Sequence, residues 1–283
     1  MRSLRRSPTP QRFHDRARGR GVSRPLYGAM RGMLVPPLRI WFRMRIAGAE
    51  NNPAQGAAII APNHKSFLDA FFIAAATRRK VRYMAKIELF PGPLGWLFAR
   101  LGAFPVRRGE SDVEAITTAR TILEQGGIVV MFPEGTRVEH RDALGAPHHG
   151  AGRLAIDAGV PIVPAAIAGT ERLWLGPFPK PRRVQVTFLP AIDPRELDDH
   201  PDAVADLIER RVWPQVQREY GNQLARPGVI VTALTALGLG AGLLARRQAN
   251  AHTRIVGIVP PGRVRRRAAR GRRLARLREL VRR

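Results

Sequence analysis

Short apolar runs, each closed by glycine, proline or charge, recur along the middle of this chain, with segments of helical spacing between them. No other feature constrains the fold as much. A chain that alternates strand and helix, with connections long enough for crossovers, builds a largely parallel sheet covered by helices. Ala57 to Ala61, Val81 to Ala85, Ala103 to Val106, Ile128 to Phe132, Val160 to Ile167 and Val184 to Phe188 read as strands. Phe42, Met44 and Ile46 alternate with Arg43 and Arg45, another strand signal. Helices are expected over Asp69 to Thr77, Leu94 to Leu101, Asp112 to Gln125, Gly150 to Ala158 and Asp202 to Tyr220. Ile128 to Phe132 is apolar at every position, as a central strand buried on both faces requires. The predicted class is α/β, a mostly parallel central sheet flanked by helices, with membrane-surface helices and basic arms at the ends.

Charge is concentrated in those arms. Of the net +26, residues 1–24 carry +7 and residues 246–283 carry +13, which leaves +6 for residues 25–245. Arginine-rich arms bind polyanions such as anionic headgroups or nucleic acid. The 44 arginines against 4 lysines, with abundant alanine, glycine and proline, also fit a base-composition bias. Residues 1–24 read as a disordered basic arm, without the apolar stretch of a secretory leader. Residues 25–222 form the folded body. Its first segment, 25–42, is apolar but interrupted by Arg31, Arg39 and Pro36-Pro37, which break the run. It suits equally a membrane-surface segment or a helix packed on the body. Residues 227–283 are read as a hydrophobic helix and a basic tail. The uncharged stretch 229–245 would reach only about 26 Å as a helix, against a hydrocarbon core of roughly 30 Å. A monotopic or re-entrant placement is favoured, with a single span as the alternative. The expected location is the cytoplasmic face of a membrane, peripheral or monotopic. The chain has no cysteine, which excludes disulfides, thiolate nucleophiles and zinc-thiolate sites.

Two segments carry candidate chemistry. Asn63-His64-Lys65-Ser66-Phe67-Leu68-Asp69 follows one predicted strand, and Phe132-Pro133-Glu134-Gly135-Thr136-Arg137 follows another. Ser66 is a candidate N-cap for the helix that begins near Asp69. Asp69 could then accept a hydrogen bond from one His64 ring nitrogen and leave the other as a general base. Alternatively, Asp69 answers the helix dipole and His64 is a loop residue. In the second segment Gly135 allows a close turn, Thr136 offers a hydroxyl and Arg137 a planar fork for phosphate; alternatively, Glu134 and Arg137 pair at the surface. Arg107 and Arg108, at another strand end, either join that anion site or are solvated. A base for a hydroxyl beside a cradle for phosphate suggests an acceptor bearing both groups. His140, Asp142, His148 and His149 lie in an unpatterned polar loop and form no expected metal site.

These segments resemble the glycerolipid acyltransferase family, in particular 1-acylglycerol-3-phosphate acyltransferases, over about residues 42–190. His64 to Asp69 matches its His-x4-Asp motif. Gly102 to Arg108 resembles the second motif, Phe132 to Arg137 the third, and Val160-Pro161-Ile162-Val163-Pro164 the fourth. The resemblance implies that His64, oriented by Asp69, deprotonates the free hydroxyl of a lysophospholipid. The hydroxyl then attacks the thioester of acyl-CoA or acyl carrier protein. Arg108, Glu134, Gly135, Thr136 and Arg137 would hold the glycerol phosphate. No metal or cofactor is implied, and the anionic membrane surface is the expected partner. Arg107 and Ala146-Pro147-His148-His149 depart from the family pattern near the headgroup side. An acyltransferase for another lyso-lipid, glycolipid or amino-acid lipid is therefore the alternative. A polyanion-binding protein is the lesser one, because the arms have almost no aromatics to stack on bases, and no specific nucleic-acid partner is expected.

Overall fold

The computed structural model describes residues 9–109, 112–138, 140, 142–171, 173–175, 178–197 and 202–225. The elements run α1 (Thr9–Gly19), α2 (Arg24–Trp41), β1 (Arg45–Ala47), β2 (Ala58–Pro62), α3 (Asp69–Ala76), β3 (Val81–Lys86), α4 (Gly92–Leu101), β4 (Ala103–Val106), α5 (Val113–Glu124) and β5 (Ile128–Val130). They continue with α6 (Gly150–Ala158), β6 (Ile162–Ala168), the two-stranded ribbon β7 (Trp174–Leu175) and β8 (Phe178–Pro179), and β9 (Gln185–Phe188). Then α7 (Ala203–Ala205) runs through a π-helical stretch, Asp206–Val212, into α8 (Trp213–Ala225).

Seven strands form one sheet in the order β1-β9-β6-β2-β5-β3-β4. All pairings are parallel except β6 with β9. The fold is α/β, a mostly parallel seven-stranded sheet flanked by helices. The continuous apolar runs have a direct cause. On β2, Ala58 and Ile60 enter one core with Phe72, Ile73 and Val163, while Ile59 and Ala61 enter the opposite core with Phe104, Ile122 and Leu154. Alternate residues face opposite sides of a strand, so a strand covered on both faces has no polar positions to spare.

The N-terminal expectation needs correction. Thr9–Gly19 is a helix, and Phe13, His14 and Ala17 are buried. Phe13 packs on Phe90 and Trp96 at centroid distances of 5.0 and 5.2 Å. Arg18 pairs with Glu114 at 2.6 Å, and His14 Nδ1 lies 2.9 Å from Thr118 Oγ1. One buried stripe and one ion pair hold a helix that composition alone reads as disordered.

Pro36-Pro37 do not break α2 either. Proline φ is already helical, and the turns that follow are fixed by burial of Leu38 and Phe42 in the core. Arg31 closes α3 by donating to the carbonyls of Ala74 and Ala75, the latter at 3.3 Å. The segment 25–42 thus packs on the body along one face, while Met33, Ile40 and Trp41 stay exposed along the other. Among the described residues no helix is long and apolar enough to cross a membrane. The hydrophobic stretch 229–245 and the basic tail lie outside the described residues.

Candidate active site

Adjacent parallel strands explain why two distant segments meet. β2 and β5 are neighbours, so the loops leaving their C-terminal ends lie side by side, where α/β sheets gather ligands. The loop after β2 carries His64 and the loop after β5 carries Phe132 to Arg137.

His64 Nδ1 lies 2.9 Å from Asp69 Oδ2. Asp69 is fully buried, and the same oxygen accepts from the backbone N–H groups of Lys65 at 2.6 Å and Ser66 at 2.7 Å. A carboxylate oxygen only accepts, so its His64 partner is Nδ1–H, and in the neutral imidazole Nε2 then carries the lone pair. Ser66 does not cap α3: Leu68 occupies the cap position, and Ser66 Oγ accepts from the Leu68 N–H at 3.3 Å. The Asp69 carboxylate reaching back to two N–H groups replaces that cap and fixes the loop against the helix start.

The β5 loop encloses His64 on three sides. The Phe132 ring stacks on the imidazole with centroids 4.0 Å apart and 24° between planes. Glu134 Oε1 accepts from the His64 N–H at 2.7 Å, and the Val138 N–H donates to the His64 carbonyl at 3.0 Å. The second Glu134 oxygen accepts from the Gly145 N–H at 2.8 Å. Glu134 is buried, and burial first of all pushes its carboxyl above the usual range. The resemblance gave Glu134 to the glycerol phosphate. In the structure both of its oxygens accept from protein N–H groups, those of His64 and Gly145.

Two residues outside the predicted set complete the frame. Asn63 Nδ2 donates to the Ile167 carbonyl at 2.9 Å, and its Oδ1 accepts from the Ile167 N–H at 2.7 Å. Its side chain extends the β6 ladder by one step, which is how the strand bearing the fourth motif reaches the site. Lys65 is buried and donates to the carbonyls of His140, at 2.7 Å, and Ala143. Its ammonium also sits 5.2 Å from the Tyr220 ring centroid. Burial lowers its pKa, and Glu134, Glu171, Asp69 and Asp142 oppose that shift.

Gly135 needs to be glycine twice over. Its φ is 65°, and a Cβ there would stand 2.9 Å from His148 Cδ2. Thr136, Arg137 and Arg108 are exposed. Although much of its surface is open, Arg108 has its pKa lowered, first by partial desolvation and then by the nearby Arg137 guanidinium. Two guanidinium groups held within electrostatic reach of one another suit an anion. Arg107 instead faces Asp112: its backbone N–H donates to Oδ2 at 2.8 Å and its guanidinium lies 4.0 Å from the same oxygen. Asp112 also caps α5 through the Ala115 N–H.

Beside the His64 loop, α2, α3, α4 and β3 line a cavity that opens to solvent. Its walls are almost wholly apolar, including Leu34, Val35, Phe67, Phe71 and Phe98, with alanines 70, 74 and 75 along α3. Phe67 lies between His64 and Asp69 in sequence, so the cavity begins at the His64 loop.

The Acyltransferase family model matches residues 43–168. The chain is 30% identical over 210 residues to a 1-acyl-sn-glycerol-3-phosphate acyltransferase of Limnanthes douglasii, covering 69% of this chain and 73% of that protein. It is 31% identical over 137 residues to a chloroplastic 1-acyl-sn-glycerol-3-phosphate acyltransferase of Arabidopsis thaliana, but that match covers 47% of this chain and only 38% of the relative's length. The solved structure of the 1-acyl-sn-glycerophosphate acyltransferase of Thermotoga maritima superposes with a TM-score of 0.56 at 22% identity, over 71% of this chain and 84% of that one, and so shares the fold. With that sheet, the ordered motifs and the extended match to a relative, the chain belongs to the glycerolipid acyltransferase family.

Proposed function

We propose that this protein transfers an acyl group from acyl-CoA or acyl carrier protein to the free hydroxyl of 1-acylglycerol-3-phosphate, giving phosphatidic acid. The observation that carries this reading is the His64–Asp69 contact of 2.9 Å, which leaves Nε2 as the proton acceptor. In the step, Nε2 takes the hydroxyl proton as the oxygen attacks the thioester carbonyl. The tetrahedral intermediate collapses, the C–S bond breaks, and the leaving thiolate takes the proton back from His64. No acyl-enzyme forms, and the step as written needs no metal or cofactor.

Arg108 and Arg137 would hold the acceptor phosphate, with the Gly135-Thr136 turn close to the headgroup. The apolar cavity would take an acyl chain, its alanine-lined wall leaving the room. The protein would work at the membrane surface, resting the outer face of α2 on lipid. The test is an acyl-transfer assay with labelled acyl-CoA or acyl carrier protein and a panel of lyso-lipids. Transfer to 1-acylglycerol-3-phosphate above all other acceptors supports the reading. A preference for an acceptor without a phosphate monoester would refute it.

A further inference from the structure

We propose that the protein enters the bilayer through an apolar corner built from two elements far apart in sequence: the end of α2 and the ribbon β7–β8. Trp41 Nε1 donates to the Pro179 carbonyl at 3.0 Å, which ties the helix end to the ribbon. At this junction Ile40 is 77% exposed, Trp41 50% and Phe178 73%. Large apolar side chains clustered in water mark a surface meant to be covered. The charges around them point to the cover. Arg39 and Arg43 flank Ile40 and Trp41, and Lys180 follows Pro179. Among the described residues none of these three cations has a carboxylate partner. Arg43 is also the only non-glycine described residue in the left-handed region, with φ 41°, a conformation that carries a steric penalty for a side chain. Aromatic and aliphatic tips ringed by long cations match the interface of an anionic bilayer, with rings at headgroup depth and guanidinium groups on phosphates. Ile40 argues for acyl chains over nucleic acid, since an aliphatic tip offers no stacking platform. The same helix walls the apolar cavity through Leu34 and Val35, so docking here would bring that cavity to the lipid.

The inference rests on the membrane-surface reading, and its test separates the two. The chain has no cysteine, so Phe178→Cys and Ile40→Cys can each carry one environment-sensitive fluorophore, with Val113→Cys on α5 as an exposed control. The full-length labelled proteins are mixed with vesicles of phosphatidylglycerol and phosphatidylcholine, or of phosphatidylcholine alone. The expected result is a blue-shifted emission at positions 178 and 40 on the anionic vesicles, quenched by spin-labelled acyl chains, with no shift at 113. Phe178→Ser should weaken vesicle affinity by about tenfold, as partial loss of a buried ring implies. Vesicle binding with both labels still in water overturns the corner and leaves the membrane-surface reading standing. A shift at 113 as large as at 178 also overturns the corner. Absence of vesicle binding by the full chain overturns both.

Discussion

Glu134→Gln separates a residue that holds the base from one that holds the substrate. The carboxylate bridges the His64 N–H at 2.7 Å and the Gly145 N–H at 2.8 Å from a buried position. The amide keeps one acceptor oxygen but turns an NH₂ group toward the other donor. One charge-assisted hydrogen bond is lost, about 1.5–3 kcal/mol, and a buried N–H is left facing a donor. If nearly all of that appears as misplacement of His64, kcat falls on the order of ten- to a hundredfold. The Michaelis constant for the acceptor should stay within about twofold, because a substrate that never touched the carboxylate keeps its contacts. The assay is steady-state acyl transfer with both substrates varied, alongside a thermal melt to show that the variant is folded. A tenfold rise in the acceptor's Michaelis constant with kcat unchanged would refute this reasoning and return Glu134 to the headgroup.

Further outcomes follow from the same geometry. His64→Ala should remove at least about 10²-fold of the transfer rate, the scale of general-base loss, and Asp69→Asn should also impair turnover; near-normal activity of a folded His64→Ala protein would exclude the mechanism. Arg137→Lys keeps charge but loses the planar fork, so the Michaelis constant should rise for a phosphate-bearing acceptor and hardly change for the donor; kinetics with each substrate varied in turn check this, and equal weakening of both would place Arg137 elsewhere. His14 has its pKa lowered by burial from the ordinary 6.5, so the folded state binds fewer protons than the unfolded one. Its contribution to stability is therefore full above pH 6.5 and is lost as pH falls below that value. Urea melts between pH 7.5 and 5.5 should show this acid-side loss, and His14→Gln should flatten it.

What the sequence made legible was what burial dictates. The runs at 58–62, 103–106 and 128–130 announce themselves because strands covered on both faces exclude polar residues. Strand neighbours are another matter. Nothing local says that β2 lies beside β5, with Ala58 opposite Ile128, or that β9 runs antiparallel to β6, since such pairings are set by the path of the chain between the strands and not by the strands themselves. Helix α1 was missed because its inward stripe is only Phe13, His14 and Ala17 in a segment otherwise rich in arginine. A three-residue stripe is too short a signal when composition points to disorder.

The site divides along the same line. His64 and Asp69 were legible because both lie within one local turn, where five residues fix their separation. A motif shows which residues are near a substrate, not which way each side chain turns, and the Glu134 carboxylate turns to two backbone N–H groups. Electrostatics gives the reason: a buried carboxylate needs N–H donors nearby. Those donors are the backbones of His64 and Gly145, on either side of the third motif. Asn63 makes the same point, since its amide pairs with Ile167 on a strand that starts a hundred residues later. The His64–Asp69 contact is local in sequence, while Asn63 and Glu134 meet their partners only across neighbouring strands of the sheet. Substitutions at Asn63, Lys65 or Glu134 should therefore act on turnover through His64, whereas those at Arg108 or Arg137 should act on acceptor binding.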